Sequence, residues 1–287
     1  MSEYKQPKFP PQHQNHQPGI ESEMIPLPIF ISEETSKCRR LTNKVAIITG
    51  GDSGIGRAVA IAFAKEGANI CIAYLNEHKD AEYTKQQIEK EGKKCILISG
   101  DVGDEGFCHK VVEKTIKEFE NLDILVNNAG EIHLKENIED IDKRQLERTF
   151  KTNVFSMFFM TKAAIKYLKP DSSIINTASV TAYHSSPSLL DYSSSKGAVV
   201  AFTRALSGNL VSKGIRVNGV APGPIWTPFI PSHLPAEEIS SFGSDTPMKR
   251  AGQPVEIAPC YVFLASKDSS YMSGQILHPN GGEIVNG

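Results

Sequence analysis

Val45-Ala46-Ile47-Ile48-Thr49 runs into Gly50-Gly51-Asp52-Ser53-Gly54-Ile55-Gly56, and Arg57 to Glu66 follows as an amphipathic stretch that stops at Gly67. A short apolar β-rich run, a glycine-punctuated turn and a helical period, in that order, make one βα unit. Gly50, Gly54 and Gly56 allow a tight turn and let backbone N–H groups approach a pyrophosphate at the positive end of the helix. Gly67 fits the C′ position that ends it. The spacing is G-x-x-x-G-x-G, not the common G-x-G-x-x-G fingerprint. The placement between strand one and helix one therefore carries the phosphate reading, against that of a purely structural turn. Gly50, Asp52, Ser53, Gly54, Ile55 and Gly56 are the first candidate cofactor-binding residues.

The same alternation repeats downstream. Asn69 to Tyr74 precedes Ala81 to Glu91, Cys95 to Ser99 precedes Glu105 to Phe119, and Ile124 to Val126 precedes a helical region from Arg144 to Leu168. Ser173 to Thr177 then leads to a helix from Tyr192 to Ser212, and Arg216 to Val220, Val255 to Ala265 and Gln275 to Leu277 complete the series. Continuously apolar strands separated by helices predict an α/β fold: a Rossmann-like, doubly wound parallel sheet of about seven strands, with helices on both faces. A ribose-reading acid is expected where strand two ends, but Tyr74-Leu75-Asn76-Glu77 stands there, without an Asp at the strand end or a base beside it. The missing base leans the cofactor toward NAD; for NADP, a 2′-phosphate would need another cation, with Arg57 or Lys79 as candidates.

The 287 residues suit one α/β domain with decoration rather than two full domains. A formal net charge of -2 gives no long-range field for nucleic acid or an anionic membrane. Cys38, Cys71, Cys95, Cys108 and Cys260 are scattered and form no CxxC pair, which argues against a disulfide framework or a zinc site. The N-terminus lacks a signal-like apolar core and no run approaches a membrane span, so the expectation is a soluble cytoplasmic protein.

Residues 1–40 read as an extended arm and 41–287 as a single domain, with a substrate flap at about 225–250. The arm holds six prolines and three glutamines between Pro11 and Gln17. Its apolar segment Met24 to Ile31 is expected to dock on the domain or on a neighbouring subunit, because exposing it would be costly. His13 and His16, without carboxylates or cysteines nearby, are not read as a metal pair.

Chemistry concentrates later in the chain. Tyr192 and Lys196 stand four apart on a predicted helix and so share a face about one turn apart, with Ser179 just past a strand. The spacing alone means little: Tyr4 and Lys8 repeat it in the tail, where Pro7 opposes a helix. A free phenol has a pKa of about 10, and an ammonium together with an oxidised nicotinamide would lower it toward neutrality. Tyr192 could then exchange a proton with a carbonyl or alcohol oxygen that Ser179 holds, while Lys196 donates to the nicotinamide ribose.

The ordered set Thr49-Gly50-x-x-x-Gly54-x-Gly56, Asn127-Asn128-Ala129-Gly130, Asn153, Ser179, Tyr192, Lys196 and Pro222-Gly223 resembles the classical short-chain dehydrogenases/reductases from about Lys44 to Gly282. The resemblance implies that Asp101 and Val102 lie at the adenine, that Asn128, Ala129 and Gly130 shape the cofactor cleft, and that Asn153 holds a water behind Lys196. It further implies that Pro222, Gly223, Ile225 and Thr227 form the loop over the nicotinamide. The arm is similar to that of a subset with an extended Pro/Gln-rich N-terminus. Family resemblance also implies a homotetramer built through long helices. In the flap, Trp226, Phe229 and Phe242 are read evenly as substrate contacts or as packing; Tyr183 and His184 are placed to face substrate. The leading expectation is hydride transfer between a nicotinamide dinucleotide and a small carbonyl or alcohol substrate, with Tyr192 as general acid/base. The alternatives are a catalytically silent NAD(P)-binding sensor and nucleotide-sugar dehydratase or epimerase chemistry.

Overall fold

Five strands of four to six residues are buried along almost their whole length: β1 (Val45–Thr49), β2 (Asn69–Tyr74), β4 (Ile124–Asn127), β5 (Ser173–Thr177) and β6 (Arg216–Val220). With β3 (Cys95–Ser99) and the short β7 (Ile276–Leu277) they form one parallel sheet in the order β3-β2-β1-β4-β5-β6-β7. Period-two alternation explains why these strands are apolar throughout. Ala46, Ile48, Ile70 and Ile72 face one helical layer, while Ile47, Cys71, Leu125 and Val217 face the other. The first layer holds α1 (Gly54–Lys65), α2 (His78–Lys90) and α7 (Pro254–Ala265); the second holds α3 (Glu105–Phe119) and α5 (Ser156–Ala164). The computed structural model describes residues 9–31 and 38–285, so the Tyr4/Lys8 pair lies outside the described residues.

Strand order reverses between β1 and β4, whose register pairs Ile47 with Leu125. In such sheets the crevice beyond the carboxyl ends of the strands at that reversal is the ligand site. Polar groups brace this end: Asn127 Nδ2 donates to Asn176 Oδ1 at 2.9 Å, and Asn176 Nδ2 donates to Thr203 Oγ1 at 3.0 Å from α6 (Leu190–Leu210).

One expected helix is divided. The region read as Arg144 to Leu168 is α4 (Lys143–Phe150), then a π-helical turn at Lys151–Phe155, then α5. The widened turn contains Asn153, whose side chain bonds outside the helix.

The arm docks along the domain. Phe9 stacks on Trp226 with ring centroids 3.9 Å apart, Trp226 Nε1 donates to Pro26 O at 2.9 Å, and Ile29 exchanges bonds with Gln253 and Val255 at the start of α7. Met24 is buried, whereas Ile25 and Leu27 are exposed. His13 and His16 bond separately to the carbonyls of Leu234 and Pro18. No helix among the described residues is long and apolar enough to cross a membrane.

Candidate active site

The turn after β1 has the conformation its glycines allow. Gly50 and Gly54 have φ of +62° and +53°, and a Cβ on Gly56 would collide with Gly50 O. Thr49 Oγ1 accepts from the amides of Asn128 (2.9 Å) and Ala129 (3.0 Å), while Asn128 Nδ2 donates back to Thr49 O and Gly50 O, both at 3.1 Å. The ends of β1 and β4 are thus tied around the crevice. It is a cleft of about 830 Å³. Of the glycine-turn, strand-end, nicotinamide-loop and catalytic candidates, all except Gly56 and Asn153 line it, Tyr74, Leu75, Val102, Pro222, Gly223 and Ile225 included. Those two lie behind the wall, Gly56 against Gly50 and Asn153 against Ser195. A glycine cradle at a helix N-terminus, opening into a cleft of this size, fits a dinucleotide.

At the β2 end, Tyr74 Oη hydrogen-bonds His78 Nδ1 at 2.9 Å, and Glu77 and Asp52 stand close to one another in the wall. Burial and then the Glu77 charge push the Asp52 carboxyl up to about 7. Arg57 is not turned to this end. Its guanidinium is buried, pairs with Glu21 and Asp80, and donates to Thr84 Oγ1 (2.8 Å) and Asp52 O (3.0 Å). The sequence-level expectation that Arg57 could serve a 2′-phosphate is corrected: carboxylates of the arm and α2 already hold it. Lys79 is exposed on the first turn of α2.

At the other end, α6 presents Tyr192 and Lys196, both buried, beside Ser179. The Ser179 hydroxyl stands near enough to the Tyr192 phenol to favour its ionised form and accepts from Thr181 N at 3.2 Å; Lys196 Nζ donates to Thr177 O at 2.9 Å and lies 5.5 Å from the centroid of the Tyr192 ring. The protein alone does not lower the phenol's pKa. Burial pushes Tyr192 up to about 12, against the Ser179 hydroxyl, and pulls Lys196 down to about 8. Asn153 Oδ1 accepts from Glu131 N (2.8 Å), and its Nδ2 donates to Glu131 O (2.9 Å) and Ser195 Oγ (3.0 Å). It pins the π-helical turn to α6 and to the loop after β4.

The flap aromatics divide. Trp226 is fully buried beneath the arm, while Phe229 and Phe242 line the cleft, with the Phe229 ring centroid 6.2 Å from that of Tyr192. His184 lines the cleft beside Glu283, at 3.6 Å; Tyr183 instead packs its ring against His278. Two groups escaped sequence reasoning. Asp101 is paired with Arg148 (2.5 Å), and Arg148 Nε and Thr152 Oγ1 both donate to Glu131, making a network along the wall. From the arm, Gln17, Pro18 and Gly19 line the cleft. Neither group has a spacing signal, because each is assembled from distant segments.

A parallel sheet with a glycine cradle and a buried Ser/Tyr/Lys group at its switch point defines an oxidoreductase that uses a nicotinamide dinucleotide. The model of the family described as enoyl-(acyl carrier protein) reductase matches residues 50–283. A glucose and ribitol dehydrogenase of Daucus carota is 53% identical over 286 residues, covering 98% of each chain. An NADPH-dependent aldehyde reductase 1, chloroplastic, of Arabidopsis thaliana is 52% identical over 282 residues, covering 96% of this chain and 98% of its own. Among solved structures, a short chain dehydrogenase of Burkholderia cenocepacia J2315 in complex with NADP superposes with a TM-score of 0.80 at 29% identity, covering 85% of this chain and 98% of that one. The chain belongs to the short-chain dehydrogenase/reductase family. The lean to NAD is not supported, since one relative is NADPH-dependent and the structural neighbour holds NADP.

Proposed function

We propose that the chain reduces aldehydes, or oxidises the corresponding alcohols, with Tyr192 as general acid/base and NADP(H) as the dinucleotide. The observation that carries this reading is the buried Tyr192 phenol, with Lys196 beside it and Ser179 in the same wall, in the same cleft as the phosphate turn. The turn from Gly50 to Gly56 would hold the pyrophosphate; Tyr74, Leu75, Asp101 and Val102 the adenosine; Asn128 to Gly130, Pro222, Gly223, Ile225 and Thr227 the nicotinamide half. When bound, the nicotinamide supplies the hydride to a carbonyl carbon or accepts it from an alcohol. Ser179 orients the substrate oxygen and Tyr192 passes it the proton. With its pKa near 8, Lys196 stays largely protonated at neutral pH and keeps a positive charge beside the phenol. Asn153 positions α6 by bonding Ser195, next to Lys196.

Polar side chains lining the cleft (His133, Ser186, Ser188, Asp245, Glu283), together with the activities for which the two relatives are named, favour a polyhydroxylated aldehyde or its alcohol as the substrate class. Tyr192→Phe should keep dinucleotide affinity and lose turnover by at least about 100-fold. Unchanged turnover removes the mechanism, and tight dinucleotide binding with no turnover across an aldehyde, sugar and polyol panel selects the sensor reading.

The proposal extends to one catalytic domain carrying an N-terminal arm, as in the arm-bearing subset; the carrot relative aligns over 98% of the chain. It includes a homotetramer in the cytoplasm. Half-exposed Phe155 and Phe158, the latter 4.3 Å from Phe202 between ring centroids, give the α5/α6 surface the apolar character of a subunit contact. Light scattering of the purified chain should give four times 31.4 kDa; a monomer refutes the assembly.

A further inference from the structure

One part of the cleft wall comes from outside the domain. After bonding the flap through Gln14 N–H to Pro231 O (2.7 Å), the arm runs along the cleft to the phosphate turn. Midway, Gln17 grips the loop after β4: its Nε2 donates to Ile132 O at 2.5 Å and its Oε1 accepts from Ile132 N at 3.3 Å. A Cβ on Gly19 would collide with Pro228 O, so the arm backbone lies directly against the flap. Glu21 then enters the phosphate turn fully buried. One carboxylate oxygen accepts from Gly54 N at 2.6 Å, the other pairs with Arg57, and Glu21 N donates to Asp80 Oδ2 at 2.7 Å.

A carboxylate with no solvent exposure persists only if it is paired and hydrogen-bonded, and Glu21 is both. Its position does more than satisfy it. Ser53, the N-cap residue of α1, makes no side-chain cap, so Glu21 supplies that cap from another segment. It holds Gly54 at φ +53°, and the amides of Ile55 and Gly56 follow in the same turn. Gln17 and Glu21 therefore fasten the two sides of the cleft to a single segment, with Pro18 and Gly19 forming wall between them.

We propose that residues 14–24 are a strap that completes the dinucleotide site, with Gln17 and Glu21 as positioning residues that couple docking of the arm to dinucleotide binding. This rests on the cleft being the dinucleotide site. Coupling is reciprocal: what the docked arm adds to affinity, the bound dinucleotide returns to the arm.

The test uses the full chain. NADPH and NADH are titrated by nicotinamide fluorescence into wild type, Gln17→Ala, Glu21→Gln and Glu21→Asp, and hydrogen exchange of the arm is followed with and without saturating dinucleotide. Gln17→Ala and Glu21→Gln should each raise Kd at least about fivefold, with the kinetic loss in KM for the dinucleotide rather than in kcat, and Glu21→Asp should recover part of it. Arm amides should exchange at least about fivefold more slowly when dinucleotide is bound. If Glu21→Gln does not fold, Gln17→Ala decides, because Gln17 is only partly buried. The strap is overturned if Gln17→Ala binds with wild-type Kd, if the variants lose thermal stability alone, or if arm exchange ignores the dinucleotide. Failure of wild type to bind either dinucleotide overturns the reading of the cleft itself, and the strap with it.

Discussion

Asp52→Asn should make the protein more stable, and increasingly so as pH rises. Asp52 is 5% exposed, and burial, reinforced by the neighbouring charges of Glu77 and Asp80, raises its carboxyl from 3.8 to about 7, while Ser53 and a backbone amide oppose the rise. Because the folded-state pKa lies above the unfolded one, the folded chain binds this proton more tightly, so stability falls as pH climbs from about 4 to 7. Each unit costs about 1.4 kcal/mol between pH 5 and 6 and less as pH nears the folded pKa, so the step from pH 5 to pH 7 costs about 2.3 kcal/mol. Asparagine has the same shape and no charge. The bonds that Arg57 and Thr84 make here use the backbone carbonyl of residue 52, so the substitution leaves them in place. Urea denaturation of both proteins at pH 5, 6 and 7, at one protein concentration, should show the difference in unfolding free energy widening by about 2–3 kcal/mol across the series. Parallel pH profiles would refute the reasoning, since a side chain that titrates alike in both states contributes no slope.

The acidic ribose end also bears on selectivity. Glu77→Gln removes a charge that a 2′-phosphate would meet, and should shift the NADPH/NADH ratio of dissociation constants about two- to fivefold toward NADPH; an unchanged ratio in paired titrations refutes the placement. Lower pH should act in the same direction through Asp52, with NADPH affinity rising relative to NADH between pH 8 and 6, and Asp52→Asn should flatten that dependence. Phe9→Ala removes a 4%-exposed ring from Trp226 and should release the arm with a local cost of about 3–5 kcal/mol, seen as faster limited proteolysis before residue 30 with the domain still folded. Proteolysis at the wild-type rate would show that the stack does not hold the arm.

The fold was legible because its physics is local and repeated. Val45 to Thr49 and Ser173 to Thr177 coincide with β1 and β5, since apolar β-rich runs bounded by turns have few alternatives in a buried parallel sheet. Helix limits differed by a few residues. Glycine-turn residues were left out of α1, and polar His78 to Asp80 were left out of α2, although the helical hydrogen bonding already spans them. The π-helical turn at Lys151–Phe155 was not legible. One extra residue in a turn barely disturbs an apolar period, and its cause, the bonding of Asn153 to Glu131 and Ser195, joins separate segments.

The site divides along the same line. Tyr192 and Lys196 lie at i,i+4 of one helix, so their proximity is a property of the sequence; Gly50 and Gly54 need positive φ, which the residue type announces. Arg57 shows where such reading stops. From the sequence it is a cation beside a phosphate turn, free to meet a 2′-phosphate. In the fold it is the partner of Glu21 and Asp80, which lie 36 residues before and 23 after it. Nothing in the tail's composition marks Glu21 among its polar neighbours, because a buried carboxylate becomes affordable only once a guanidinium and a helix N-terminus meet around it. The phenol makes the converse case. Its position was legible, but the direction of its shift was not: that depends on burial, and burial raises Tyr192 to about 12 where a neighbouring ammonium alone would lower it. A phenol held protonated by the protein is poised as a donor. In the mechanism proposed above, reduction would draw on the resting protonation state directly, whereas oxidation would first have to remove the Tyr192 proton against the same burial.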